Sequence, residues 1–97
     1  MRSADAALLR VRAGDSVAVA LRDLRAGEEV ACPGRDIPLV IASDVPQAHK
    51  VALGAMSVGE AVVKYGVVIG TATAAIAPGE HVHVHNIASA RVGAAAP

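Results

Sequence analysis

The sequence predicts a small, mainly β domain on three observations. Short Val-rich segments alternate apolar and polar residues at the strand period, as in Val17-Ala18-Val19-Ala20-Leu21. Glycine recurs just before such segments, where a tight turn needs it. Pro38 and Pro46 restrict helix in the middle of the chain. Alanine is common and favours helix, but the frequent Gly and β-branched residues outweigh it. Ninety-seven residues are enough for one domain.

Taken in order, residues 1–7 are expected to be a flexible N-terminus, 8–90 the folded domain and 91–97 a flexible tail. Strand-type alternation starts with Leu9 and Val11 and resumes at Val17, Val19 and Leu21, with a turn at Ala13-Gly14-Asp15. A theme then recurs: Gly27-Glu28, Gly59-Glu60 and Gly79-Glu80 each precede a β-favouring stretch and follow an apolar residue, Leu24, Met56 or Val58, and Ile76. The spacing is irregular, so the theme reads as one hairpin device used several times and not as a solenoid. Further turns are expected at Cys32-Pro33-Gly34-Arg35 and at Gly66 and Gly70. The one plausible helical turn lies at residues 43–47, with Ser43 or Asp44 as cap and Pro46 in the first turn.

Composition excludes several functions. Nine basic residues balance nine acidic ones, with no basic stripe or aromatic platform, which leaves nucleic-acid binding without support. Cys32 is the only cysteine, so no internal disulfide framework exists; a cytoplasmic location is expected, and Cys32 reads as a turn residue, not a nucleophile. No apolar run approaches the roughly 18 to 20 residues of a membrane span, and the N-terminus lacks the apolar stretch of a signal peptide. Apolar residues make up 54% of the chain, yet there is no Phe or Trp and one tyrosine, Tyr65. So many small apolar side chains suggest a surface covered by a partner, against the plainer reading of a small domain that stands alone.

The stretch Gly79-Glu80-His81-Val82-His83-Val84-His85-Asn86 carries the most chemistry. On a strand, His81, His83 and His85 share one face, about 6 to 7 Å apart, while Val82 and Val84 face the core. Two imidazoles at that spacing can converge on one metal ion, with a third as outer ligand or proton carrier. Asn86 adds an amide able to hold a hydroxyl or carboxylate. The pattern says metal or acid–base site without choosing, and a solvated His-rich face is the plain alternative. His49-Lys50, after the Pro46 turn, can line a groove with an imidazole and a cation, or be an exposed loop pair. Lys64 interrupts an apolar run before Tyr65-Gly66; its ammonium snorkels outward or meets an anion. No Ser/His/Asp arrangement, phosphate loop or dinucleotide fingerprint is present.

These segments resemble the N-terminal module of altronate and galactarate dehydratases. The likeness runs through Asp44-Val45-Pro46-Gln47-Ala48-His49-Lys50-Val51-Ala52-Leu53, Gly59-Glu60, Lys64-Tyr65-Gly66, Ile69-Gly70 and the stretch from Ile76 to Asn86, with Ser16 to Leu24 as the opening strand. It covers residues 14–87. Ala48 departs from it, standing where a glycine is expected before His-Lys, and Gly54-Ala55-Met56 replaces a more polar stretch. The resemblance implies a single-domain β-clip of the SAF type and the small subunit of a hydro-lyase that depends on Fe2+ or another divalent metal, held either by this chain itself or only once the large catalytic subunit is present. The implied substrate is a small hydroxy acid such as altronate or galactarate, dehydrated by β-elimination. His81 and His83 are then the expected metal ligands, and His81, His83 and His49 the catalytic residues. Lys50, Lys64, His85 and Asn86 are the expected substrate-binding residues. Two readings compete: the small subunit of a sulfolactate sulfo-lyase, and a non-catalytic SAF-type binding module. Self-association of the isolated chain stays open.

Overall fold

The short Val-rich segments form nine antiparallel strands among the described residues, 7–32 and 34–89 of this computed structural model. They are β1 (Leu8–Leu9), β2 (Val17–Ala20), β3 (Glu29–Val30), β4 (Leu39–Val40), β5 (Lys50–Ala52), β6 (Ala61–Lys64), β7 (Val67–Ala72), β8 (His81–Val82) and β9 (Ile87–Ser89). They make a four-stranded sheet in the order β1-β2-β5-β8, a pair β3-β4 and a three-stranded sheet β6-β7-β9. The mainly β class is as the sequence predicts, and this all-strand set of small antiparallel sheets is consistent with an SAF-type fold. The helical turn expected at residues 43–47 is replaced by a bridge from Val45 to Leu24, with Pro46 opening a tight turn. Of the segments expected to be flexible, 1–6 and 91–97 lie outside the described residues, and Ala7 is buried.

The central sheet buries apolar residues on both faces and separates two cores. Ala18, Ala20 and Val51 face one with Leu24, Ile41, Val45 and Leu53; Val17 and Ala52 face the other with Met56, Val62, Ala72, Ile76 and Val82. This is the period-two alternation of strands whose two faces both pack against an apolar core. In β1 it is Leu8 that is buried, while Leu9, Val11 and Leu21 stay partly exposed. Cys32 lies in the first core and its carbonyl accepts from the Arg35 N–H at 3.0 Å, which agrees with its reading as an inert turn residue.

The Gly-Glu device recurs four times, once without its signature. Residues 25–28, 46–49, 57–60 and 77–80 each close with an N–H of the fourth residue donating to the carbonyl of the first, at 3.0 to 3.1 Å. The third residue has positive φ in all four: Gly27 91°, Ala48 74°, Gly59 88° and Gly79 84°. Each turn then clamps one residue of another segment from both sides. Gly27 and Glu28 hold Ile41, Ala48 and His49 hold Ala20, Gly59 and Glu60 hold Ala72, and Gly79 and Glu80 hold Ala52. The clamped residue in turn lies four positions before a bridge residue, Leu24, Val45, Met56 or Ile76. Four copies of one nine-residue unit thus pair reciprocally, the first two around one core and the last two around the other.

The second copy is the exception, and its chemistry explains why. In the other three the glutamate carboxylate accepts the first residue's N–H: Glu28 from Arg25, Glu60 from Ser57 and Glu80 from Ala77, at 2.7 to 3.1 Å. Pro46 occupies that first position in the second copy and has no N–H to satisfy. The fourth position is therefore released from capping, and His49 stands there. Asp23 and Asp44 hold the first two turns from outside, accepting from Gln47 and Ala26 at 2.8 and 2.9 Å. Ala48 still needs the left-handed backbone, which costs an L residue about 1–2 kcal/mol. Ala48→Gly is accordingly expected to stabilise the chain by about 1 kcal/mol, after the extra chain entropy of glycine. A rise of roughly 4–8 °C in Tm would register it, and a fall would show that the turn is not strained.

Candidate functional site

His49 ends the second turn, immediately before β5, and β5 pairs with β8 in the register Lys50↔Val82 and Val51↔His81. That ladder brings His49 beside His81, thirty-two residues away, with Nδ1 of His49 at 2.9 Å from Nε2 of His81. The His81 N–H donates to Ser43 Oγ at 3.0 Å, which ties the strand to the segment before the second turn.

The strand does not continue to residue 85 as the alternation suggests. It stops at Val82, and residues 83–86 form a turn in which the Asn86 and Ile87 N–H groups both donate to the His83 carbonyl, at 3.0 and 3.1 Å. Val84 does not face the core; it is 81% exposed. The cause is Asn86, whose side chain offers the backbone an alternative to the ladder. Its Oδ1 accepts from the His83 N–H and its Nδ2 donates to the His81 carbonyl, both at 2.9 Å, and the residue is 5% exposed. Both ends of the amide are thus engaged by this turn.

The turn still gathers the histidines, by a different route from a shared strand face. The His81 and His83 rings are nearly parallel with centroids 5.4 Å apart; His49 lies 4.5 Å from His83, and His85 5.3 Å from His81. One ring nitrogen from each of His49, His81 and His83 falls within 4.8 Å of the others. Two nitrogens bound to one ion at about 2.0–2.1 Å lie roughly 3 to 3.4 Å apart, so the 2.9 Å pair is close to the separation two ligands need. Three half-buried imidazoles with no carboxylate among them suit a borderline divalent ion of the iron or zinc type. The sequence marked His81 and His83 as ligands and His49 as a catalytic residue; the geometry puts His49 among the possible ligands.

Electrostatics favours the neutral form of two of these rings, His81 and His83. Burial, then the neighbouring His49, His85, His83 and Lys50, lowers the His81 pKa below the ordinary histidine value. Desolvation, then His49, Lys50 and His85, does the same for His83. Burial, then Lys64, lowers that of the Lys50 ammonium. For the imidazoles, the unfolded chain takes up protons near pH 6.5 while the folded chain still resists them. Their contribution to stability is full above that pH and is lost as pH falls through the lower folded values. With metal chelated, the urea midpoint should therefore drop between pH 7.5 and 5.5. A His81→Asn, His83→Asn double variant should show a shallower drop; an identical profile would exclude these two rings as its cause.

Lys50 and Lys64 face a groove of about 320 Å³ beside the cluster, with His83, Ile69, Ile87 and Ser89 on its walls. Lys64 Nζ also lies 5.0 Å from the Tyr65 ring centroid. Tyr65 and Gly66 form the two-residue hairpin loop between β6 and β7, both with positive φ. Asp15 secures that loop through Oδ1, which accepts the Gly66 N–H at 2.8 Å. Burial pushes the Asp15 carboxyl up, but the backbone donors of Gly66, Arg12, Tyr65 and Val11 together hold it below its ordinary value. Ser43 and Ser89 are site residues that no sequence motif marks: the His81 N–H holds Ser43 at the site, and the pairing of β9 with β7 brings Ser89.

A family model describing the SAF domain of altronate/galactarate dehydratase matches residues 6–90. Altronate dehydratase of Escherichia coli (strain K12) is 46% identical over 78 residues, 80% of this chain and 15% of that protein. Altronate dehydratase of Bacillus subtilis (strain 168) is 36% identical over the same shares. The (2R)-sulfolactate sulfo-lyase subunit alpha of Paracoccus pantotrophus is 41% identical over 56 residues, 58% of this chain and 84% of that subunit. The chain thus spans about 15% of the altronate dehydratases it matches, and most of a sulfo-lyase subunit. No helix among the described residues is long and apolar enough to cross a membrane.

Proposed function

Since the chain belongs to the altronate/galactarate dehydratase SAF domain family, we propose that it serves as the small part of a hydro-lyase acting on a sugar acid, lending its histidine cluster to a site completed by a larger catalytic chain. The observation that carries this reading is the convergence of His49, His81 and His83. Held by these three, a divalent ion such as Fe2+ would polarise an oxygen of the substrate. The elimination removes the proton beside the carboxylate and expels hydroxide from the next carbon, and the enol that results becomes a 2-oxo-3-deoxy acid. His85, 5.3 Å from His81 at the exposed rim, would carry a proton to or from solvent. The exposure of Val84 beside the cluster, and of Ile37, Val58 and Val67 elsewhere, supports a second surface covering part of this one.

A second reading has its own support: the relatives named as sulfo-lyase alpha subunits are small separate chains, of which this one covers up to 84%. The test is co-purification with a large dehydratase chain from the same source, followed by a panel of altronate, galactarate and sulfolactate. Formation of a 2-oxo-3-deoxy acid only when both chains are present supports the first reading, and sulfite release from sulfolactate the second. Full activity of the large chain alone would refute both.

A further inference from the structure

The groove that Lys50 and Lys64 face has a composition the metal cluster does not explain. Two lysines line it, and no Asp or Glu does. Neither lysine forms an ion pair among the described residues; the contact of Lys64 is with the Tyr65 ring. Like charges sharing a cleft repel each other, and an anion between them turns that cost into attraction. Ile69 and Ile87, packed against the second core, give the groove an apolar side that strengthens such an attraction. Ser89 adds a hydroxyl at the wall. His83 belongs both to this wall and to the histidine cluster, so an anion here would lie next to the reacting end of a small molecule.

We infer that the groove of Lys50, Lys64, His83 and Ser89 is an oxyanion subsite that takes the carboxylate or sulfonate of a small hydroxy acid. The hydroxy-acid class rests on the function proposed above, whereas the preference for an anion rests on the groove alone. Lysine acts as a point charge with three donors and does not demand the planar fork that suits a carboxylate, so both headgroups fit the same chemistry. Asn86 is outside the subsite, because its amide holds the 83–86 turn. His85 is not on the groove wall either.

The test is an NMR titration of the full chain, following the lysine ε-CH₂ signals. Three probes are compared: gluconate, isethionate (a hydroxy sulfonate) and uncharged sorbitol. Saturable shifts of the Lys50 and Lys64 signals with either anion, and none with sorbitol, are expected, and the tighter anion identifies the headgroup. Lys50→Met and Lys64→Met should each weaken that binding at least tenfold, with Lys64→Gln in reserve if the apolar variant loses its dispersed spectrum. No movement of the lysine signals with either anion would overturn the subsite. So would equal movement with sorbitol, or parental affinity in both variants. Co2+ added to the same samples reads the histidine cluster by its visible absorption. Anion binding without Co2+ binding would show that this chain alone does not hold the ion and would leave the subsite standing; the reverse would remove the subsite alone.

Discussion

Replacing His81 by alanine is expected to weaken Co2+ or Fe2+ binding by at least about a hundredfold, the largest effect on the site of any single substitution. Altering partners that merely orient metal ligands already costs about 10–100-fold in affinity, and a ligand should cost more. His81 is central: it is the ring in direct contact with His49 at 2.9 Å, parallel to His83 and next to His85. The fold should survive, because the His81 backbone bonds to Ser43 and Asn86 do not involve its side chain. His49→Ala and His83→Ala should follow in the same direction, whereas His85→Ala should stay within about tenfold, its ring being outside the three-nitrogen group. Titration with Co2+ followed by absorption separates these cases. Equal affinity in the parent and His81→Ala would show that the imidazoles meet for another reason.

Much of this arrangement was legible from the residues, and the failures have definite causes. Three of the four clamp turns announce themselves because Gly and Glu are the residues their backbone and capping require. The remaining one, second in chain order, is hidden: Ala48 conceals a positive φ, and Pro46 removes the N–H that would have demanded a glutamate. Only the departure from an expected glycine at Ala48 hinted at it. A locally inconsistent unit inside an otherwise regular set is where a functional residue is expected, and His49 sits there. For the histidine stretch, the sequence pattern indicates the proximity of the rings but not the shape of the backbone. Alternation through Val82 and Val84 signals a strand, but a buried asparagine side chain competes with a ladder in ways that period alone does not reveal. The meeting of His49 with His81 depends on the β5–β8 register, a non-local pairing that no short motif encodes. The groove lysines could be named as candidates, but which of them shared a cleft could not.

Gly79→Ala should be the most damaging small substitution for the fold, costing more than about 3 kcal/mol of the 5–15 kcal/mol typical of a domain. Two effects combine at this residue. Its φ of +84° carries the left-handed penalty of about 1–2 kcal/mol for any residue with a Cβ. A Cβ there would also press into the Val40 carbonyl oxygen, and would lie 3.0 Å from the Val40 carbonyl carbon and 3.1 Å from the Ala42 nitrogen. Those are backbone atoms, with no rotamer available to withdraw. The same backbone is tied to the turn, since the Ala42 N–H donates to the Gly79 carbonyl and the Gly79 N–H to the Ala52 carbonyl, both at 2.8 Å. Relief of the clash therefore has to move the fourth clamp away from residues 40–43, and His81 with it. Gly59→Ala is the matched comparison. Gly59 has nearly the same φ, +88°, in the equivalent turn, yet a Cβ there meets nothing within 4 Å. It should lose only the backbone term, about 1–2 kcal/mol. Urea unfolding of the two variants isolates the close approach as the difference between them. Equal midpoints would mean that the fourth turn does not hold the chain at residues 40–43, and that something else fixes the position of His81.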